Sequence, residues 1–231
     1  MDDGRSDLAF LRARARQMVI EMDEFDACKA DPLYWLQHCT RTYDNLWREK
    51  GVEPYKRFPD KPYMPKLFEL FRTSRRLYLA KSRDMMVTWA VVGFGVHMCQ
   101  FFEASHVIIQ TQKLDKALDL VCGRQTPGYA RTLWEQQEPW MKERCPLTKA
   151  SEDMPGDQLT WANGSKFQGV PQGEDQVRQY HPSLVIFDEA AFLDGFGASL
   201  DAAEPVAAQI IAVSSAAPSV FGDMILEAFE S

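Results

Sequence analysis

Two acidic residues directly follow a short apolar run in the second half of the chain. The run covers residues 183–187 and reads SLVIF, and Asp188 and Glu189 come next. Successive residues at the end of a strand point in different directions, so the two carboxylates can take different roles. The first can hold a hydrated Mg²⁺ ion, and the second can orient or deprotonate an attacking water molecule. The pair alone also fits a strand followed by an acidic helix cap.

A second polar cluster follows an apolar run in the first half of the chain. Residues 76–80 read RLYLA, and the octapeptide KSRDMMVT comes next. A standard phosphate loop, GxxxxGK[ST], has its lysine directly before the hydroxyl residue, whereas this loop has its lysine at the start. A long lysine side chain can reach the same phosphates from there, and the N terminus of the following helix attracts an anion. We therefore predict nucleotide binding by the whole loop, which consists of Lys81, Ser82, Arg83, Asp84, Met85, Met86, Val87 and Thr88.

These two clusters can meet only if a parallel sheet carries them. Four apolar runs predict buried strands, at residues 76–80, 106–110, 183–187 and 209–213. Apolar residues at helical spacing separate them and predict helices at residues 66–76, 86–102, 113–122 and 198–208. This alternation is typical of an α/β fold with three layers, in which helices cover both faces of a mainly parallel sheet. Ligands bind at the carboxyl ends of such strands, so we expect both clusters at one edge.

The N-terminal quarter of the chain is predicted to cover this core. Apolar spacing indicates two helices within residues 1–50, the second over residues 31–47. Four prolines within residues 51–65 indicate a loop. We therefore expect an N-terminal helical covering segment, residues 1–60, and a core, residues 61–231.

Three further segments precede the acidic pair. Residues 129–144 can form a single helix. Asn163 and Gly164 stand between two strand-like halves and predict a hairpin over residues 158–168. The polar segment 169–179 is expected to be mobile.

Composition excludes several classes of protein. The 231 residues are 45% hydrophobic and 26% charged, as in a globular protein with a sizeable core rather than a disordered chain. A net charge of −7 argues against a surface coated with nucleic acid but allows a local basic patch. The five cysteines are scattered without a CxxC motif and predict neither a disulfide framework nor a zinc site. The most apolar stretch is too short to span a membrane, and the polar start of the chain leads us to expect no signal peptide.

The order and spacing of these motifs resemble the large terminase subunit of tailed bacteriophages, the motor that packages DNA into procapsids. In several members the phosphate-loop lysine begins the motif, as in K-S-x-R-x-G-x-[ST], and KSRDMMVT matches it at Lys81, Ser82 and Thr88. LVIFDEAAF resembles the family's Walker B segment, and WANGSKFQGVP resembles the strand before it. Met86 stands where the family has a glycine.

The resemblance implies a P-loop ATPase of the additional-strand type that uses ATP and Mg²⁺. Asp188 and Thr88 would hold the metal, and Glu189 would act as the catalytic base. Arg178 falls where the family carries an arginine that acts on the γ-phosphate, across a subunit boundary. Tyr63 would stack on the base. Ser214 and Ser215 occupy the place of the motif that couples hydrolysis to movement.

The resemblance also implies partners and a location. Double-stranded DNA, the portal protein and the small terminase subunit are the expected partners, within a homo-oligomeric ring in the host cell cytoplasm and away from any membrane. Family members continue into a nuclease domain of the RNase H type, which we do not expect in this chain. Endonuclease activity is therefore not expected either.

Two other functions fit part of the same pattern. Another nucleic-acid translocase or helicase would share the motifs at the strand ends but needs a second motor domain. A catalytically silent module would dock on the portal or the small subunit without hydrolysing ATP. Nucleotide binding distinguishes the silent module from the motor.

Overall fold

A computed structural model of the chain describes residues 3–123, 127–153 and 156–230, so the predicted limits at residues 1 and 231 lie outside the described residues. The first third contains α1 (Asp3–Ala30), α2 (Pro32–His38), β1 (Thr42–Tyr43), α3 (Trp47–Lys50), β2 (Tyr55–Lys56) and α4 (Met64–Thr73). Asp31 starts α2, because its side chain accepts hydrogen bonds from the N–H groups of Leu33 and Tyr34 at 2.9 and 3.3 Å.

The second N-terminal helix is shorter than predicted. It ends at His38, and Thr42 and Tyr43 then pair with Lys56 and Tyr55 in a small antiparallel ribbon. The prediction ran too far because apolar residues keep a helical spacing past His38, although the backbone there is already extended. The predicted loop is interrupted by the second strand of this ribbon, and Pro65 lies in the first turn of α4, where a missing N–H is harmless.

Six strands form the central sheet in the spatial order β3-β8-β7-β4-β6-β5. They are β3 (Arg76–Ala80), β4 (His106–Thr111), β5 (Gln158–Thr160), β6 (Lys166–Pro171), β7 (Leu184–Asp188) and β8 (Gln209–Ser214). All neighbours are parallel except β5 and β6, which are antiparallel. Strand β8 lies between β3 and β7, the two strands that carry the predicted motifs. This inserted strand confirms the additional-strand type of P-loop fold.

Helices cover both faces of the sheet. The second part of the chain contains α5 (Val87–Phe101), α6 (Leu114–Val121), α7 (Tyr129–Glu135), α8 (Pro139–Arg144), α9 (Lys149–Asp153), α10 (Asp175–Arg178), α11 (Phe196–Ala203) and α12 (Val220–Glu230). Alternate residues of the strands enter two separate apolar clusters. In β7, for example, Leu184 and Ile186 pack with α5, whereas Val185 and Phe187 pack with α11 and α12. The predicted three-layer α/β architecture is therefore confirmed.

The segments around the hairpin differ in part from their predictions. Residues 129–144 form two helices, because the second begins at Pro139, which cannot continue the first. The hairpin is confirmed, with Gly164 at a φ of 84° in its turn. The segment 169–179 is partly regular: Gly169 lies in β6, where a Cβ atom would stand 2.9 Å from the Ala117 carbonyl oxygen, and residues 175–178 form a helical turn.

The covering segment shares the apolar cluster on the α5 face of the sheet, to which it contributes Trp35, Leu36 and Phe58. Within the described ranges, no helix is both long and apolar enough to cross a bilayer.

Candidate active site

The loops that follow β3 and β7 bring the two predicted motifs into contact at the carboxyl edge of the sheet. Lys81 Nζ donates to Glu189 Oε1 at 2.9 Å, and Thr88 Oγ1 donates to Asp188 Oδ1 at 3.1 Å. Asp188 is buried, and the side chain of Lys81 is only 10% exposed. Four residues predicted from separate motifs thus lie together.

Strand β8 joins these two loops. Lys81 N donates to Ser214 O at 2.8 Å, and Ser214 Oγ accepts from Ala191 N at 3.1 Å. Ser215 Oγ donates to Glu189 Oε2 at 3.0 Å. The two predicted coupling residues therefore contact the loops of both motifs, because β8 is inserted between the strands that carry them.

Backbone strain is concentrated at this edge. Four non-glycine residues of the described chain have positive φ, and three of them are Asp84, Met86 and Glu189, at 61°, 56° and 54°. Each such conformation costs about 1–3 kcal/mol. Met86 stands at the position of the expected glycine and adopts the left-handed conformation that a glycine takes without strain. The loop thus turns as a glycine would allow, although methionine occupies the position.

The N terminus of α5 faces the loop without a side-chain cap. Its N-cap residue is Met86, and no described side chain accepts a hydrogen bond from the first N–H groups of the helix. A hollow of about 240 Å³ is lined by the loop, including Lys81, Ser82 and Thr88, together with Trp89 and Tyr129. Open helix N-H groups beside a lysine form a site suited to phosphate.

The surroundings of Asp188 and Glu189 shift the pKa values of the two carboxyl groups in opposite directions. Burial raises the pKa of Asp188 to about 6, although the charge of Lys81 and the hydrogen bond from Thr88 oppose this. Burial also acts on Glu189, but the hydrogen bond and charge of Lys81 outweigh it and lower the pKa of that carboxyl. At neutral pH both groups are therefore mainly ionised, and one lysine does not neutralise them.

The same atoms fit a magnesium ion. Asp188 Oδ1 and Thr88 Oγ1 are hard oxygen ligands 3.1 Å apart, and the carboxylate is buried with no described cation hydrogen-bonded to it. Mg²⁺ takes one or two such protein oxygens and completes its shell with water and phosphate oxygens.

A cleft of about 520 Å³ opens beside the carboxylates. Four of the predicted site residues line this cleft: Arg83, Asp188, Glu189 and Ser215. Its other lining residues are Asn45, Thr111, Gln112, Lys116, Asp119, Leu120, Tyr129 and Phe192. The cleft and the hollow at residues 81–88 are adjacent, because Tyr129 lines both of them.

Neither Tyr129 nor Gln112 is among the site residues predicted from the sequence. The ring of Tyr129 stacks on Trp89 with centroids 3.8 Å apart, and it lines both spaces. Nothing around residue 129 forms a motif, so no signal could have identified it. Gln112 did carry a signal, because it follows β4 at the edge where ligands bind, but glutamines at strand ends are usually only exposed.

Two predicted residues lie apart from the central cluster. Tyr63 OH donates to Met85 O at 2.9 Å and lines a further hollow of about 230 Å³, to which Lys81, Met85 and Val87 of the loop also contribute. Arg178 is 58% exposed, and its described ion pairs are with Glu174 and Asp175, at 3.2 and 3.6 Å. Base stacking by Tyr63 and action of Arg178 on a γ-phosphate therefore stay predictions.

No protein-family model matches the chain, and no curated protein sequence matches it. Solved structures do match. The chain resembles the large terminase of bacteriophage HK97 at 12% identity with a TM-score of 0.60, over 87% of this chain and 41% of that one. Two structures of the large terminase ATPase domain of Thermus phage P74-26 match at 14% and 13% identity, both with a TM-score of 0.46. They cover 80% of this chain and 75% and 74% of theirs.

The chain thus spans about two fifths of the length of the HK97 protein. Over that length it has the fold of a bacteriophage large terminase, with the loop of residues 81–88 and the acidic end of β7 on either side of an inserted strand.

Proposed function

We propose that the chain is the ATPase motor domain of a viral large terminase, which hydrolyses ATP to move double-stranded DNA into a procapsid. One observation carries this proposal: Lys81, Thr88, Asp188 and Glu189 meet at the carboxyl edge of a sheet with the additional-strand order. The likeness of the fold to the HK97 large terminase supports the terminase class over other ATPases.

ATP would bind with its phosphates between Lys81 and the N terminus of α5. The open N–H groups of α5 and the lysine supply positive charge on two sides of this space. Asp188 and Thr88 would hold Mg²⁺, which supplies charge neutralisation for the phosphate oxygens. Tyr63 would contact the base from behind the loop, and the remaining loop residues would hold the phosphates through their backbone.

Glu189 would act as the general base. Its lowered pKa keeps the carboxylate ionised at neutral pH, and the cleft beside it has room for a water molecule. The carboxylate would take a proton from that water as it attacks the γ-phosphorus in line with the leaving oxygen. Arg178, supplied by a neighbouring subunit, would neutralise the negative charge that develops on the transferred group. Its exposed position agrees with action on another chain.

Ser214 and Ser215 would transmit the state of the site. Both contact Glu189, and Ser214 also contacts the backbone of the phosphate loop. A change at Glu189 would therefore reach β8 and the helix α12 that follows it. In the complete motor, a ring of subunits on the portal protein would grip DNA in the host cytoplasm, with the small subunit and a nuclease domain as further parts.

Calorimetric titration with ATP and Mg²⁺ tests the proposal. Wild type should bind, and Lys81→Ala should weaken binding by about 10- to 100-fold, because a charged hydrogen bond to phosphate contributes about 1.5–3 kcal/mol. Lys149→Ala, at an exposed lysine of α9, is the control and should bind as wild type does.

Either of two results would contradict the proposal. No binding by a folded wild-type chain would favour the silent docking module, and equal binding by Lys81→Ala would remove the displaced lysine from the site. A binding measurement is preferable to an ATPase assay here, because an isolated chain would lack the Arg178 of its neighbour.

A further inference from the structure

A second cluster of chemically reactive side chains lies where α1 meets α2, away from the proposed ATPase site. Glu24 and Cys28 are four residues apart on α1 and therefore share one face of the helix. Cys39 is the residue that ends α2. Although the sequence contains no CxxC motif, the folded chain brings these two cysteines and a carboxylate together.

The three side chains form a compact triangle. Cys28 Sγ and Cys39 Sγ are 3.2 Å apart, and Glu24 Oε1 lies 3.3 Å from Cys39 Sγ and 4.0 Å from Cys28 Sγ. In the part of the chain that the structure describes, this is the one group of three such residues whose ligand atoms could share a metal ion.

We propose that Glu24, Cys28 and Cys39 bind one Zn²⁺ ion, with water as the fourth ligand. A tetrahedral zinc site with bonds of about 2.3 Å to sulfur and 2.0 Å to oxygen places two sulfurs about 3.8 Å apart, and sulfur and oxygen about 3.5 Å apart. The observed separations lie around these values. Cys28 is buried, whereas Glu24 and Cys39 are half-buried, which leaves a path for water on one side.

A hydrogen-bond partner already orients the carboxylate. Tyr34 OH contacts Glu24 Oε1 and Oε2 at 3.2 and 3.1 Å. Metal-binding carboxylates are commonly held by such a donor, whose loss weakens metal binding about 10- to 100-fold. The backbone at Cys28 is also held, because His97 Nε2 lies 2.8 Å from the Cys28 carbonyl oxygen. Two of the three ligands are thus positioned by neighbours before any ion binds.

The composition of the cluster favours zinc over the other uses of two close cysteines. A disulfide would need only the two sulfurs, at about 2.05 Å, and would leave the carboxylate oxygen without a thiol donor. A hard cation such as Mg²⁺ or Ca²⁺ would prefer oxygen ligands to thiolates. Two thiolates with one carboxylate suit a borderline-soft dication such as Zn²⁺.

Zinc at this position would join α1 to the rest of the molecule. Most of α1 from residue 10 onward is exposed, and its C-terminal turn packs against the body of the protein through residues such as Phe25 and Cys28. A zinc ion bound by Glu24 and Cys28 of α1 and by Cys39 at the end of α2 would fix the direction of the long helix. This inference is independent of the proposed ATPase activity.

Metal titration of the whole chain tests the proposal. After removal of metal under reducing conditions, the chain should bind one equivalent of Zn²⁺, and one equivalent of Co²⁺ should produce the strong near-ultraviolet band of a thiolate ligand. We expect Cys39→Ser to weaken Zn²⁺ binding at least 100-fold and to abolish the band, and Tyr34→Phe to weaken binding about 10-fold. Cys122→Ala, at a buried cysteine outside the cluster, is the matched control and should bind as wild type does.

Three results would overturn the proposal. One is the absence of a thiolate band when Co²⁺ is added to a folded wild-type chain. Another is unchanged Zn²⁺ affinity in both Cys39→Ser and Glu24→Gln, the second of which keeps both cysteines and so guards against misfolding. The third is a Cys28–Cys39 disulfide, detected by mass spectrometry, that forms in a glutathione buffer at the reducing potential of a cytosol.

Discussion

The two edges of the central sheet use their polar side chains differently. At the amino edge, where β4 and β6 begin, Ser165 Oγ accepts from Ser105 N at 3.0 Å and donates to Phe102 O at 2.8 Å. There the side chain of Ser165 satisfies two backbone groups of the loop between α5 and β4. At the carboxyl edge, Lys81 and Glu189 instead bond to each other at 2.9 Å beside an open cleft.

The two edges of the sheet also differ in how many non-glycine residues have a positive φ. The amino edge has one non-glycine residue at positive φ, Ala104 at 54°, beside the hairpin turn in which Gly164 adopts positive φ without strain. The carboxyl edge has three such residues, Asp84, Met86 and Glu189. Strained residues persist only where the surrounding structure holds them, and they cluster at functional sites. The carboxyl edge thus carries most of the backbone strain, as expected of the edge that holds the proposed nucleotide site.

The largest expected effect is on turnover at the carboxyl edge. Glu189→Gln should reduce ATP hydrolysis by at least about 100-fold, because the amide cannot accept the proton of the attacking water. ATP binding should persist or strengthen, because Lys81 would no longer pair with a carboxylate. Phosphate release by the assembled ring, in which a neighbouring subunit supplies Arg178, and calorimetry measure the two quantities separately.

Glu143→Gln, at an exposed glutamate on α8, is the control for that experiment and should hydrolyse ATP as wild type does. Wild-type turnover in Glu189→Gln would show that another group activates the water, and the catalytic role assigned to this edge would then be wrong.

A smaller effect is expected on stability at the amino edge. Ser165→Ala removes the only described partner of the buried Ser105 N–H group, which should lower the free energy of unfolding by about 2 kcal/mol. Denaturant unfolding measures this change. ATP affinity should be unchanged, and a parallel loss of affinity would show that the two edges are not independent.

The smallest effect is expected at the strained methionine. Met86→Gly relieves backbone strain but loses the packing of a half-buried side chain, so stability should change by less than about 1 kcal/mol and ATP should still bind. Met86→Val should be clearly less stable than Met86→Gly, because a β-branched residue tolerates positive φ poorly. Thermal unfolding of the two variants compares them directly, and equal stability would argue against strain at this position.

Elements with strong periodicity were predictable, and elements set by distant contacts were not. The strand at residues 76–80 and the hairpin at Asn163 follow from local pattern, because buried runs and turn residues specify their own conformation. The end of α2 depends on pairing between Thr42 and Lys56, which no local pattern reveals.

The same distinction applies to the candidate site. Lys81 and Asp188 were predictable, because both follow apolar strands that end at one edge. Tyr129 enters through the packing of α7 on α5, which depends on tertiary contacts alone. The proposed zinc ligands were missed for a similar reason, since Cys28 lies on α1 and Cys39 is the residue that ends α2.

The ion pair between Lys81 and Glu189 would make the basicity of the glutamate depend on phosphate binding in the proposed reaction. While the lysine neutralises the glutamate, that carboxylate is a weaker base, and the lysine is not free for phosphate. An arriving γ-phosphate would draw the lysine away and release the glutamate in the same event. The glutamate would then become a stronger base only when a γ-phosphate is present for the water to attack. Without bound ATP, Glu189 would stay paired with Lys81.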